Sequence, residues 1–261
     1  MKDTLTLHLR DLPYFRALLR AVEARFYEDI SLSGPVLDLG CGDGHFASLA
    51  FERPLEVGLD PWWGPIREAA GYGSYQGLVR GAGGQMPFRD DYFGSAISNS
   101  VLEHIPDLDP VMAEAARVLK PGALFVFCVP NHRFLETLSI GCWLDRIGLS
   151  SLGDRYRGFF NRISRHYHCD SQPIWESRLN RHGFQIETWW DYFAPASLHF
   201  LEWGHYFGLP AWMCKILFGR WILAPNHWNL YFTDRLVRPH YQRNPQHAQG
   251  VYSFYITRLM V

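Results

Sequence analysis

Three glycines spaced two residues apart, at the end of a short apolar run, restrict this chain more than any other feature. The segment reads Val36-Leu-Asp-Leu-Gly40-Cys-Gly42-Asp-Gly44-His-Phe46. Gly34-Pro35 on one side and Gly40 on the other leave room for only four residues, Val36–Leu39, which reads as a strand buried on both faces. A helix follows from about Gly44. A strand that enters a helix through glycines is a βα turn in which missing side chains let a ligand reach the backbone. The spacing is G-x-G-x-G rather than the dinucleotide G-x-G-x-x-G, which disfavours a nicotinamide cofactor. Alone, the triplet serves a tight turn equally well.

The rest of the first half repeats the unit. Apolar residues at Leu12, Phe15, Leu18, Leu19, Val22, Phe26 and Ile30 predict a helix from Asp11 to Ile30, with Asp11 as N-cap and Pro13 in its first turn. Strands are expected at Glu56–Leu59, Ser95–Ser98 and Ala123–Val129, with helices near Pro65–Ala70 and Leu108–Leu119. Such alternation implies a parallel sheet wound on both faces. After Pro130 the texture turns arginine- and aromatic-rich. Ser171–Gly183 then reads as a helix, and Phe184–Phe193 and Val251–Val261 as two long strands. The intervening sixty or so residues exceed any hairpin loop.

Composition narrows the class. The 261 residues are 48% hydrophobic and 20% charged, with net charge −1, which excludes disordered and fibrous chains. Five scattered cysteines without a CxxC pair argue against a disulfide framework or zinc ribbon, and suit a reducing cytosol. The first twenty residues lack an apolar signal core, and no apolar run is long enough to span a bilayer. Charge is divided unevenly: residues 1–130 hold 11 Lys and Arg against 17 Asp and Glu, whereas residues 131–261 hold 14 against 9. The halves either meet different partners or attract each other.

Asp60 closes the second strand, 22 residues after Asp38. A carboxylate there can accept both hydroxyls of a ribose, or cap the helix that follows. Beyond it come Gly84-Gln-Met-Pro-Phe88, Asp91-Tyr-Phe-Gly-Ser95, Val101-Leu-Glu-His-Ile105 and Val118-Leu-Lys-Pro-Gly122. In that order the motifs resemble the class I S-adenosylmethionine-dependent methyltransferases, in particular the type-11 group of small-molecule enzymes. The resemblance covers about residues 34–130 and, more weakly, 171–193.

It implies S-adenosyl-L-methionine as cofactor. Gly40, Cys41 and Gly42 would line its methionine part through their backbone, and Asp38 would hold its amino group. Asp60 would take the ribose, while Pro61 and Trp62 would flank the adenine. Asn99 and Ser100 would face the sulfonium and its methyl. The family's acidic adenine contact is missing, because Ala82 follows Gly81. Backbone groups near Gly83, Gln85 and Met86 are expected to replace it. Substrate lies by resemblance near the stretch before the penultimate helix and after the fifth strand, making His132, His166 and His168 the candidate bases or anchors, with Tyr167 beside them. His104 is expected to stabilise the loop after the fourth strand. His166-Tyr-His168-Cys169 has no known metal spacing, so no metal is expected. No Gly-x-Ser-x-Gly context indicates a hydrolase.

The fold predicted is α/β: a Rossmann-like, doubly wound seven-stranded sheet, mostly parallel with an antiparallel last strand. One domain spans 1–261, with an N-terminal helical segment (1–33) and a cofactor-binding core (34–130). Insertions at 131–170 and 194–249 form an aromatic-rich helical cap, and 171–193 and 250–261 complete the core. The expected function is methyl transfer to a small apolar or amphipathic metabolite. The alternatives are a non-catalytic cofactor-binding module and an RNA methyltransferase. Nucleic acid is not the expected partner: an Asp/Asn-Pro-Pro-aromatic run and a Pro-Cys nucleophile are both absent, and there is no overall basic footprint. Leu209–Leu223 reads as a helix apolar over most of its circumference. It either packs on both sides, against core and substrate pocket, or lies in a membrane interface as a peripheral contact of an otherwise cytoplasmic protein.

Overall fold

A computed structural model describes residues 3–260; Val261, the last residue of the expected final strand, lies outside them. The N-terminal segment forms α1 (Thr4–Asp11) and α2 (Tyr14–Phe26) rather than one helix from Asp11. Pro13 explains the break. Its ring forces the preceding Leu12 into extended backbone, at φ −125° and ψ 150°, so Asp11 ends one helix instead of capping the next.

The core then runs β1 (Val36–Leu39), α3 (His45–Ala50), β2 (Leu55–Asp60), α4 (Trp63–Tyr72), β3 (Tyr75–Arg80) and β4 (Phe93–Asn99). A 3-10 turn at Leu102–His104 leads to α5 (Asp109–Val118) and β5 (Leu119–Pro130). The first insertion holds α6 (Arg133–Glu136), α7 (Ser139–Arg146) and α8 (Ser150–Ser164). Next come α9 (Gln172–Arg181) and β6 (Phe184–Tyr192). The second insertion holds α10 (Pro195–Phe207), α11 (Leu209–Phe218) and α12 (His227–Gln242), and β7 (Tyr252–Leu259) closes the chain.

The seven strands lie in the order β3-β2-β1-β4-β5-β7-β6. β1 pairs in parallel with β2 and β4, while β7 is antiparallel to both β5 and β6. The sheet is therefore parallel except for its last strand in sequence. The order reverses between β1 and β4, and ligands of open α/β sheets bind outside the strand ends at such a reversal. One apolar cluster, containing Leu18, Val22, Phe46 and Phe254, joins α2, α3 and the insertions to one sheet face. A second, around Val111, Phe127, Trp175 and Tyr255, packs α5 and α9 on the other.

The insertions are tied together by Glu202, which is fully buried on α10. Its carboxylate accepts the backbone N–H of Ser139 (2.6 Å) and Ile140 (3.2 Å) at the start of α7, and the Tyr156 hydroxyl of α8 at 2.5 Å. The expected helix at 209–223 is shorter: Gly219 ends α11 in the left-handed region at φ +71°. α11 buries none of its residues fully, so it does not pack on both sides.

Candidate functional site

The glycine turn places its three glycines at positive φ, but the structure separates their work. A side-chain carbon on Gly40 would lie 2.3 Å from Val101 Cγ1, so this glycine lets the turn press on the loop after β4. A carbon on Gly42 would meet nothing within 4 Å, because the backbone there faces an open cleft. The Gly40 and Cys41 amides donate to the Leu59 carbonyl, at 2.8 and 3.0 Å, and the Gly42 amide donates to Asp60 Oδ2 at 3.1 Å. The turn thus offers a ligand its surface, its donors being already engaged.

That cleft has a volume of about 670 Å³, within the roughly 300–1,000 Å³ typical of ligand sites. Asp38, Gly40, Cys41, Gly42, Asp60, Pro61 and Trp62 all border it, as do Gly83, Asn99 and Ser100. Gln85 and Met86 do not. Gln85 is exposed, whereas Met86 is buried with its N–H on Glu114 (2.6 Å) and its carbonyl on Arg117. The cleft wall on this side is made instead by Gly81, Ala82 and Gly84, with Pro110 and Val111 packed against Gly84 and Gly83, and Asp107 also on the lining.

Two carboxylates set the cleft's chemistry. Asp60 is buried at the tip of β2, and its Oδ1 accepts the Trp62 amide at 2.8 Å, so it fixes both the turn and the start of α4. Burial raises its pKa, opposed by those two amides. Asp38 accepts the Tyr75 hydroxyl at 2.6 Å, and burial pushes its pKa up to about 7. A buried carboxylate so poised is stabilised by an arriving cation. Burial among Asp38 and Asp60 pushes the Cys41 thiol up, leaving it a neutral wall.

A second cavity, of about 410 Å³, adjoins the first beneath the insertions. Arg16, Arg20, Ser100 and His104 border both. Ser100 stands at the junction in the left-handed region, φ +54°, a conformation a non-glycine residue adopts at a cost. Its hydroxyl donates to Glu23 Oε1 at 3.1 Å, Asn99 Nδ2 donates to Oε2 at 2.6 Å, and Tyr192 donates to Oε1 at 2.7 Å. Glu23 therefore clamps α2 across the ends of β4 and β6, and the polar ends of Asn99 and Ser100 are directed to it.

Of the three histidines singled out in the sequence, only His166 reaches this cavity. His132 is exposed and borders neither space; its neighbour Asn131 is the one held inside, donating to Gly250 and Ser253. His168 is a strut: its Nε2 lies 3.0 Å from the Ile105 carbonyl and its Nδ1 3.4 Å from Asp170. Tyr167 is exposed, and its backbone amide donates to the Glu103 carbonyl. His166 meets His104 and His205 instead, and burial, with those two neighbours, holds its pKa down to about 3. Sequence reasoning missed Glu103. It is buried beside the cavity, its Oε2 has no hydrogen-bond partner, and burial lifts its pKa to about 8. His104 Nε2 lies 3.8 Å from Glu103 Oε1 while its Nδ1 is 3.1 Å from the Arg165 carbonyl.

Ligand atoms of Glu103, His104 and His166 lie within 4.8 Å of one another, a grouping able to hold a metal ion that the sequence did not foretell. Two guanidiniums on the same cavity oppose a further cation there. Sequence signals for the missed residues did exist. Arg16, Arg20 and Glu23 recur at helical spacing as one polar stripe on α2, whose Ala17, Leu18, Ala21, Val22 and Ala24 are all buried.

A family described as a methyltransferase domain matches residues 37–127, from β1 through β5. Residues 37–127 thus carry a methyltransferase domain. An uncharacterized methyltransferase of Mycobacterium sp. (strain JLS) is 35% identical over 124 residues, which are 45% of this chain and 43% of that protein. The chain thus matches less than half the length of that relative. Among solved structures, a possible histamine N-methyltransferase from Thermotoga maritima aligns over 95% of this chain and 91% of its own, with a TM-score of 0.57 and 13% identity. The geranyl diphosphate C-methyltransferase of Streptomyces coelicolor, solved with Mg2+, geranyl diphosphate and S-adenosyl-L-homocysteine, aligns over 92% and 77% at a TM-score of 0.54 and 15% identity. At such identities the likeness is one of fold.

Proposed function

We propose that the protein is an S-adenosyl-L-methionine-dependent methyltransferase acting on a small apolar or amphipathic acceptor. The observation that carries this reading is the pair of adjoining cavities, one on the glycine turn and one beneath the aromatic insertions, which share Arg16, Arg20, Ser100 and His104. The residues present fit the cofactor: an open cradle at Gly42, Asp60 for a diol, and Asp38 with a proton affinity that an ammonium group would lower. When bound, the cofactor supplies a methyl group already activated by the sulfonium charge.

The chain's task is then to position and to exclude water. Gly42 and Asp60 fix the cofactor end, while Ser100 and the Glu23 clamp shape the passage between the cavities. Holding acceptor and methyl in line within a dry passage supplies much of the acceleration that such a displacement needs. Where the acceptor atom carries a proton, Glu103 is the receiver best matched to neutral pH, either directly or through His104, because its pKa lies at about 8. His166, held at about 3, is a neutral imidazole that lines the cavity and is a poor base.

Leu19, Leu201, Leu209, Trp212 and Trp221 give the second cavity its apolar wall, which favours an acceptor with an apolar body. The same helices present apolar residues outward, and we take this face to rest on a lipid surface from which the acceptor enters. Among the described residues no helix is long and apolar enough to cross a membrane. The test of the reading is direct. Calorimetry with S-adenosylhomocysteine, followed by transfer of labelled methyl from S-adenosylmethionine into a lipid extract, is expected to give saturable binding and a labelled product. Binding without any labelled product would favour a non-catalytic module, and absence of binding would remove both.

A further inference from the structure

Arg16 and Arg20 stand one turn apart on α2 and border both cavities. Neither makes a hydrogen bond or ion pair with a described residue; Arg16 lies only over the Trp221 ring, 5.4 Å from Cζ to the centroid. Other half-buried arginines are satisfied. Arg25 holds the Tyr241 carbonyl, and Arg117, Arg133, Arg157 and Arg238 hold carboxylates. Two adjacent guanidiniums in a partly closed cleft are costly without an anion between or beside them. Burial and the neighbouring Arg20 together hold the Arg16 pKa down to about 10.

The acids of the cavity do not supply that anion. Glu23 is occupied by Asn99, Ser100 and Tyr192, and neither Glu103 nor Asp43, which feels the charge of both arginines, makes a hydrogen bond or ion pair with either of them. Both arginines are felt by Asp43 beside the glycine turn; the charge of Arg20 also reaches Asp38 and Glu23, and that of Arg16 also reaches His205 under the insertions. Arg16 reaches the acceptor side under the Trp221 ring, in the cavity that Leu201 and Trp212 also line.

We propose that Arg16, backed by Arg20, is an oxyanion site of the acceptor cavity: the acceptor carries a carboxylate or phosphate that docks on the Arg16 guanidinium while its apolar body lies along Leu201, Leu209 and Trp212. The planar fork of arginine matches both groups in two parallel hydrogen bonds. Anchoring the acid at Arg16 sets the distance from which the acceptor's nucleophile reaches Ser100 and the methyl group. This inference rests on the proposed function for the identity of the second cavity. The cofactor's own carboxylate has the same chemistry, so the test separates the two sources.

Binding of octyl phosphate and of 1-octanol is measured by calorimetry on the full chain, with and without S-adenosylhomocysteine. On each variant the affinities of S-adenosylhomocysteine and of methylthioadenosine, which lacks the amino-acid end, are compared. Octyl phosphate is expected to bind at least about tenfold tighter than octanol, the effect of one charge-assisted hydrogen bond or more. Arg16→Gln is expected to abolish that advantage and Arg16→Lys to keep part of it, the ratio of the two nucleoside affinities staying as in wild type. Both variants are checked for a native circular dichroism spectrum, and the lysine variant carries the comparison if the glutamine variant does not fold. Equal affinity for the two amphiphiles, or no binding of either, overturns the proposal. So does an Arg16→Gln protein that keeps its octyl phosphate affinity while losing the preference for S-adenosylhomocysteine over methylthioadenosine, since the anion is then the cofactor's. Failure of the wild type to bind S-adenosylhomocysteine sinks the cofactor reading alone, because the amphiphile comparison without it still decides this one.

Discussion

At the scale of single residues, the glycine turn separates two effects that its sequence spacing leaves merged. Gly42→Val puts a branched side chain into open cleft, so the protein is expected to fold, at a cost of about 1–2 kcal/mol for its positive φ, and to lose S-adenosylhomocysteine binding. Gly40→Ala drives a carbon into Val101 and is expected to lower stability more than Gly42→Val does. Thermal denaturation and calorimetry on the two variants read this crossing of effects, and equal behaviour would show the turn to be purely structural. Asp38 gives a pH dependence. Its folded pKa of about 7 lies above the ordinary carboxyl range, so its stabilising contribution is complete below about pH 4 and is lost as pH rises through about 7. Asp38→Asn is expected to flatten the fall in melting temperature of the unliganded protein between about pH 4 and about pH 7. The glycines, Asp38 and Asp60 were legible because ordered spacing marks them. Glu103 was not, since a lone glutamate gains its role from burial after β4, and burial depends on α8 and its following loop folding back over it. His132 and His168 misled for the converse reason: nearness in sequence to a site does not fix which way a short loop turns them.

At the scale of elements, the strands with apolar runs were readable and the edge was not. β3, Tyr75-Gln-Gly-Leu-Val-Arg80, went unpredicted because it pairs only with β2 and carries a glycine and polar residues, which blur any alternation. The long central strand β5 and the terminal β6 and β7 were legible from their aromatic and β-branched content. Helices of the insertions were harder, since their order is set by one buried carboxylate that no periodicity announces. Glu202 joins α10 to α7 and α8 with three hydrogen bonds. Glu202→Ala leaves two N–H groups and a tyrosine hydroxyl without their acceptor and is expected to cost about 3–5 kcal/mol. Because the cofactor cleft is built on the sheet, S-adenosylhomocysteine affinity should survive in whatever fraction folds. Urea denaturation with and without that ligand checks both halves of the statement. A loss of ligand affinity greater than the loss of folded protein would mean that the insertions also shape the first cavity.

At the scale of the whole molecule, the basic second half and the aromatic insertions coincide in sequence, and the insertions expose apolar side chains. On α11, Ile216, Leu217 and Phe218 are 61%, 68% and 62% exposed, and Trp228 and Phe232 of the α12 segment are 89% and 79% exposed. Exposed apolar residues in such number are costly in water and are the mark of interaction sites. The lipid surface proposed above for this face draws on its charged neighbours. Residues 194–249 hold five Lys and Arg against two acids, Glu202 and Asp234. Glu202 is buried, and Asp234 is paired with Arg238. Arg220 and Arg235 enter no ion pair among the described residues, and each is free to meet anionic headgroups, at about 1 kcal/mol apiece near the surface. Trp212, 51% exposed, links this face to the second cavity, so a membrane-borne amphiphile has a short apolar route inward. The expected result is co-flotation with vesicles of phosphatidylglycerol and phosphatidylcholine, weakened by salt and absent with phosphatidylcholine alone. Replacing Ile216, Leu217 and Phe218 together by serine should abolish flotation while leaving S-adenosylhomocysteine binding intact, since none of the three borders either cavity. Wild-type protein that ignores the anionic vesicles, yet dimerises through this face in sedimentation and becomes monomeric in the triple variant, would assign the surface to a second copy of the chain instead.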